Sequence, residues 1–100
     1  MAAVKQIVDK AISENAIAVF SKSYCPYCKA AKETLAAFTK DFYVIELDQE
    51  SNGADIQNYL GEKTQQRTVP NIFIKGKHIG GNSDLSSLKS SGKLKSLIEA

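Results

Sequence analysis

The stretch IAVFSKSYCPYCKAAKETL, running from Ile17 to Leu35, decides how this chain is read. It opens with the short apolar, partly β-branched run Ile17–Phe20, as expected of a buried strand. It closes with Cys28, Ala31 and Leu35 at helical spacing, a face that continues to Phe38, with Lys29, Lys32 and Glu33 turned elsewhere. Between strand and helix lie Cys25-Pro26-Tyr27-Cys28, which hold both cysteines of the chain. Pro26 suits the first helical turn, where a missing N–H costs nothing, so Cys25 is expected at the N-cap or first helical position. Cys28 then lies one turn inside on the same face, close enough to Cys25 for a disulfide.

Outward from this junction the periodicity alternates. Val4, Ile7, Val8, Ala11 and Ile12 predict a first amphipathic helix of about a dozen residues. FYVIELD (42–48) predicts a second strand, and Ile56, Tyr59 and Leu60 mark a helix that begins after Gly53 and ends before TVP (68–70). In NIFIKGKHIGG (71–81) two β-type runs flank Lys75-Gly76-Lys77, the pattern of a tight hairpin. Asn82, Ser83 and Asp84 each suit an N-cap ahead of Leu85 and Leu88, Gly92 stops that helix, and Leu94, Leu97 and Ile98 give a short last one. The resulting order, αβαβαββα(α), predicts one α/β domain over residues 1–100. A strand–helix–strand crossover makes two strands parallel, and the hairpin adds antiparallel ones to a small mixed sheet with helices on both faces.

Composition removes several function classes. Hydrophobic residues make up 43% of the 100 residues and charged residues 24%, so a core forms without disulfide staples and the cysteines are not needed for folding. A net charge of +2, from 13 basic and 11 acidic residues spread along the chain, does not predict nucleic-acid binding. No run approaches the ~18 apolar residues of a membrane helix. The N-terminal segment lacks the continuous apolar core of a signal peptide and carries Asp9 and Glu14, which suit a transit peptide poorly, so the cytoplasm is the expected compartment. In reducing surroundings a cysteine pair is more often catalytic or metal-binding than structural. Zinc wants four ligands, and this chain offers two cysteines and the distant His78, which reads as a half-exposed strand residue; no metal is expected.

The chemistry of the pair follows from its position. Unpaired N–H groups and the partial positive charge of a helix start favour a thiolate at Cys25, and Lys22 and Lys29 add to that field. Cys28, deeper and flanked by apolar residues, gains no such help. Lowering any thiol from ~8.5 to ~5 raises its thiolate fraction about thirtyfold at neutral pH, while its nucleophilicity falls roughly 25- to 60-fold. The two nearly cancel. The clear gain is a thiolate that leaves quickly from a mixed disulfide, which suits turnover.

CPYC with Lys22 three residues ahead, TVP at 68–70 and GGNSD at 80–84 together resemble a dithiol glutaredoxin, over essentially the whole chain and in order. The resemblance implies a thioredoxin-like fold with a four-stranded mixed sheet flanked by helices. It also implies a glutathione-dependent oxidoreductase that reduces protein disulfides and glutathionylated proteins, recharged by glutathione and so, indirectly, by glutathione reductase. Cys25 and Cys28 would be catalytic, and a monomer is expected. Lys22, Gln57 and Arg67 would hold the glycine carboxylate of glutathione, a role that suits cationic side chains. Thr68 and Val69 precede Pro70, cis in this family, so that an extended cysteinyl peptide pairs with the Val69 backbone. Ser83 and Asp84, at a helix start, would take the γ-glutamyl end; Gly80 and Gly81 allow close approach, and Tyr27 forms a wall. Two other readings remain open. Tyr24 stands where thioredoxins usually have tryptophan, which weighs against a thioredoxin-like reductase independent of glutathione. Pro26 weighs against a carrier of a glutathione-ligated iron–sulfur cluster, whose members generally have a smaller residue there. The absence of cysteines outside the motif excludes accessory disulfides.

Overall fold

The computed structural model describes residues 2–99. A four-stranded sheet of order β2-β1-β3-β4 is built from β1 (Ile17–Ser21), β2 (Tyr43–Glu46), β3 (Asn71–Ile74) and β4 (Lys77–Gly80). β1 and β2 are parallel, and the other two pairings are antiparallel. The helices are α1 (Ala2–Glu14), α2 (Pro26–Ala36), α3 (Gly53–Thr64), α4 (Asn82–Ser90) and α5 (Lys93–Glu99).

β1 is buried along its whole length because both sheet faces are covered. Its alternate side chains serve two cores. Ala18 and Phe20 join Ile45 and Phe73 beneath Val4, Val8, Ile56 and Leu60 of α1 and α3. Ile17 and Val19 join Ile72 and Ile74 beneath Ala31, Leu35, Leu85 and Leu94 of α2, α4 and α5. Phe20 and Phe73 meet edge to face, 5.9 Å between ring centroids.

Several expected boundaries move. The second strand ends at Glu46, and Leu47–Gln49 form a single 3-10 turn instead of its last residues. That turn lets α3 start against it: a Cβ at Gly53 would fall 1.8 Å from the Leu47 carbonyl oxygen. Helix α2 stops at Ala36, so Phe38 lies past its end and is exposed, as is Ile7 on α1. The hairpin turn is the two residues Lys75 and Gly76, at φ 51° and 81°, with Lys77 already in β4. This is the twist-matched turn in which both residues take positive φ.

The topology gathers chemistry at one end of the sheet. Parallel pairing puts the carboxyl ends of β1 and β2 together, and antiparallel pairing brings the start of β3 and the end of β4 beside them. The CPYC, TVP and GGNSD segments therefore converge, although up to about fifty residues separate them in the chain.

Candidate active site

Cys25 is the N-cap of α2, in extended conformation, with Pro26 as the first helical residue. Its own N–H donates to the Lys22 carbonyl at 3.0 Å, and its carbonyl accepts the Lys29 N–H at 3.1 Å. Both thiols are free; Cys25 is partly accessible and Cys28 fully buried. Partial burial by itself pushes the Cys25 thiol up. The Cys28 backbone N–H, the Cys28 thiol, the Tyr27 N–H and the Lys22 charge together outweigh it, and Cys25 lies below the ordinary thiol value. Burial dominates at Cys28 and holds its thiol up, against hydrogen bonds from the Lys22 N–H and the Ser21 hydroxyl. The Lys22 N–H lies 3.5 Å from the Cys28 sulfur. One accessible, acidified thiol thus sits above one buried, protonated thiol.

Opposite the pair, the Val69–Pro70 bond is cis. The side-chain amide of Gln66 donates to the carbonyls of Thr68 and Pro70, at 3.1 and 2.9 Å, and its oxygen lies 3.2 Å from His78 Nε2. Burial lowers the His78 pKa, with Asp84 acting the other way. Val69 turns its side chain onto the core shared with α1 and α3. Between Tyr27, the Thr68–Pro70 segment and Gly81-Asn82-Ser83 runs an open cleft of about 360 Å³.

Most of the residues expected from sequence meet here, but not in one shell. Tyr27, Thr68, Val69, Pro70, Gly81 and Ser83 line the cleft. Gln57 and Arg67 form a separate rim group, the Gln57 amide donating to the Arg67 carbonyl at 2.7 Å while the Arg67 stem lies over Gly61. Lys22 lies near Cys25 and Asp48. The cap of α4 is Gly81, not Asn82, Ser83 or Asp84. Asp84, at the third helical position, accepts the Gly81 N–H at 3.0 Å, the half of a capping box that a third-position carboxylate supplies.

Sequence reasoning missed four contributors. Asn82 lines the cleft, and among the described residues its Oδ1 is one of two buried side-chain polar atoms without a hydrogen-bond partner. Gln66 pins the TVP turn, Asp48 ties down the loop ahead of Cys25, and Ser21 reaches Cys28. Asn82 lies inside the GGNSD motif and Gln66 and Ser21 within a few residues of TVP and CPYC, whereas Asp48 is about twenty residues from any motif and carries no signal in the sequence.

The glutaredoxin family model matches residues 17–79. The chain is 56% identical over 94 residues to glutaredoxin-2 of Schizosaccharomyces pombe, covering 94% of this chain and 86% of that protein. It is 51% identical over 100 residues to glutaredoxin-1 of Rhizophagus irregularis, covering 100% and 99%. Among solved structures, the buckwheat glutaredoxin–glutathione complex superposes with a TM-score of 0.95 at 41% identity, covering 98% of this chain and 89% of that one. The family match begins on the first residue of the central strand and ends within β4, taking in both thiols and the cis-proline turn, and this chain belongs to the glutaredoxins, in their dithiol form.

Proposed function

We propose that Cys25 attacks the disulfide of a glutathionylated or disulfide-bonded protein and that Cys28 resolves the mixed disulfide formed with protein substrates. The observation that carries this is the unequal pair: an accessible thiol lowered by a helix start, above a buried thiol held up. The first ionises and leaves readily; the second waits for a disulfide to form within reach. Glutathione occupies the cleft beside Cys25, its cysteinyl backbone pairing with Val69 between Tyr27 and Pro70. The γ-glutamyl carboxylate meets the start of α4 at Asn82 and Ser83, where unpaired N–H groups face the cleft. Asp84 has one oxygen on Gly81, and its other faces the γ-glutamyl ammonium. Lys22, Gln57 and Arg67 take the glycine carboxylate from the rim. That the buckwheat relative forms a complex with glutathione supports glutathione as the ligand. Residues 1–100 act as one domain, and the reducing cytosol is the compartment that suits a free thiol pair.

Electron supply tests the reading. With glutathione and glutathione reductase the protein should reduce a small mixed disulfide rapidly, and with thioredoxin reductase and NADPH only poorly. The reverse preference would overturn it.

A further inference from the structure

His78 does not line the cleft, yet a line of hydrogen bonds runs from it to the TVP turn. Antiparallel pairing sets His78 opposite Phe73, and the two rings lie 5.3 Å apart between centroids, on the sheet face that α1 and α3 cover. Its Nε2 lies 3.2 Å from Oε1 of Gln66, two residues past the end of α3. The Gln66 amide nitrogen donates in turn to the carbonyls of Thr68 and Pro70, at 3.1 and 2.9 Å. Those carbonyls flank Val69, whose backbone pairs with glutathione in the reading above.

The far end of this line fixes its direction. A carbonyl oxygen only accepts, so the Gln66 atom that faces two of them is the amide nitrogen. The Gln66 oxygen therefore faces His78 and needs a donor, which places a hydrogen on His78 Nε2. Burial favours the neutral ring and Asp84 the charged one, and the Nε2–H donor is present in both.

We propose that His78 is a positioning residue for glutathione use: its Nε2–H orients the Gln66 amide, which holds the two carbonyls on either side of Val69. A glutamine side chain has many rotamers, and few set its nitrogen between two carbonyls. Ordering that side chain before glutathione arrives removes an entropic cost from binding. His78 touches neither thiol nor cleft, and it acts through Gln66.

This inference rests on glutathione pairing with Val69, and the experiment reads the two separately. Long-range proton–nitrogen NMR of the ligand-free parent at about pH 8, above the ordinary imidazole value of ~6.5, shows which ring nitrogen carries the hydrogen. Nε2–H is expected; the Nδ1–H tautomer would overturn the inference without any variant being needed. His78→Phe keeps a ring on Phe73 and removes the donor, whereas His78→Gln restores an amide donor without the ring. His78→Phe should raise the KM for glutathione about two- to fivefold, as for the net loss of one hydrogen bond, with kcat and the Cys25 pKa unchanged. His78→Gln should bring the KM back to that of the parent. Added to Gln66→Ala, His78→Phe should have no further effect, because one residue acts through the other. An unchanged KM in His78→Phe, an equal rise in His78→Gln, or a full further rise on top of Gln66→Ala would overturn the inference and leave the ring as packing. The backbone amide signal of Val69 reads the placement itself, on addition of S-methylglutathione, which forms no disulfide. It should shift in the parent; no shift there means that glutathione binds elsewhere, and the inference falls with that placement.

Discussion

Ser23 and Asp48, twenty-five residues apart in sequence, are joined twice: the Asp48 carboxylate accepts both the backbone N–H and the hydroxyl of Ser23. The contact ties the end of β2 to the loop that delivers Cys25. Those hydrogen bonds, the hydroxyl's first, hold the Asp48 pKa below its usual 3.8, with the Lys22 charge helping. A depressed folded-state value means the contact stabilises fully above 3.8 and is lost as pH falls through the lower folded value. Asp48→Asn should therefore lower the urea midpoint slightly at neutral pH and match the parent in strong acid. It should also lower the Cys25 pKa a little further, because Lys22 no longer shares its field with a carboxylate.

Exchanging the two thiols for serine should separate two activities. Cys25→Ser is expected to abolish all turnover. Cys28→Ser should keep deglutathionylation, which uses one enzyme thiol, and lose most reduction of intramolecular protein disulfides. Parallel assays on a glutathionylated peptide and a protein disulfide check this; matching losses in both assays for both variants would refute it.

The Cys25 thiolate is held first by backbone N–H groups of α2 and the neighbouring thiol, and only last by Lys22. Lys22→Gln should raise the Cys25 pKa slightly and leave it below the ordinary thiol range, since a partly exposed charge acts through a high effective dielectric. Glutathione use should suffer more, with a higher KM. Titration of thiolate absorbance in a Cys28→Ser background measures the first effect, and a return to an ordinary thiol value would show that lysine holds the charge.

Gln66 satisfies two carbonyls of the TVP turn with one side-chain amide. Removing it in Gln66→Ala leaves the Pro70 carbonyl, on a buried residue, without that donor, at a cost of about 1–3 kcal/mol. A looser turn should raise the KM for glutathione several-fold while the Cys25 pKa stays unchanged. Steady-state kinetics alongside a thiol titration distinguish this from general unfolding.

Gly53 offers a stability test with an unusual sign. Glycine to alanine within a helix normally gains about 0.5–1 kcal/mol. Here the added Cβ would collide with the backbone carbonyl of Leu47, which no side-chain rotation relieves. Gly53→Ala should lower the urea midpoint, whereas Leu35→Ala, emptying a fully buried site, should cost about 2–5 kcal/mol by the cavity it leaves.

The sequence by itself determined the elements and the two thiols. Ile17–Phe20 reads as a buried strand because four apolar residues in a row need cover on both faces, and the structure covers both. Pro26 fixed the helix start, and with it the different fates of Cys25 and Cys28, because capping is decided within one turn of chain. The tertiary structure decided what depends on partners distant in sequence. Phe38 continues the helical period of α2, yet the helix ends first, and the cap of α4 moved to Gly81 because Asp84 folds back to it. Local pattern does not reveal that Gln66 would bridge Thr68 and Pro70, or that Asp48 would reach Ser23. Ser21 and Glu46 each look like the polar end of a strand. Only the parallel register of β1 and β2 places them side by side, with Lys32 of α2 on Glu46, because the partner and alignment of a strand are set by long-range pairing and not by its own residues.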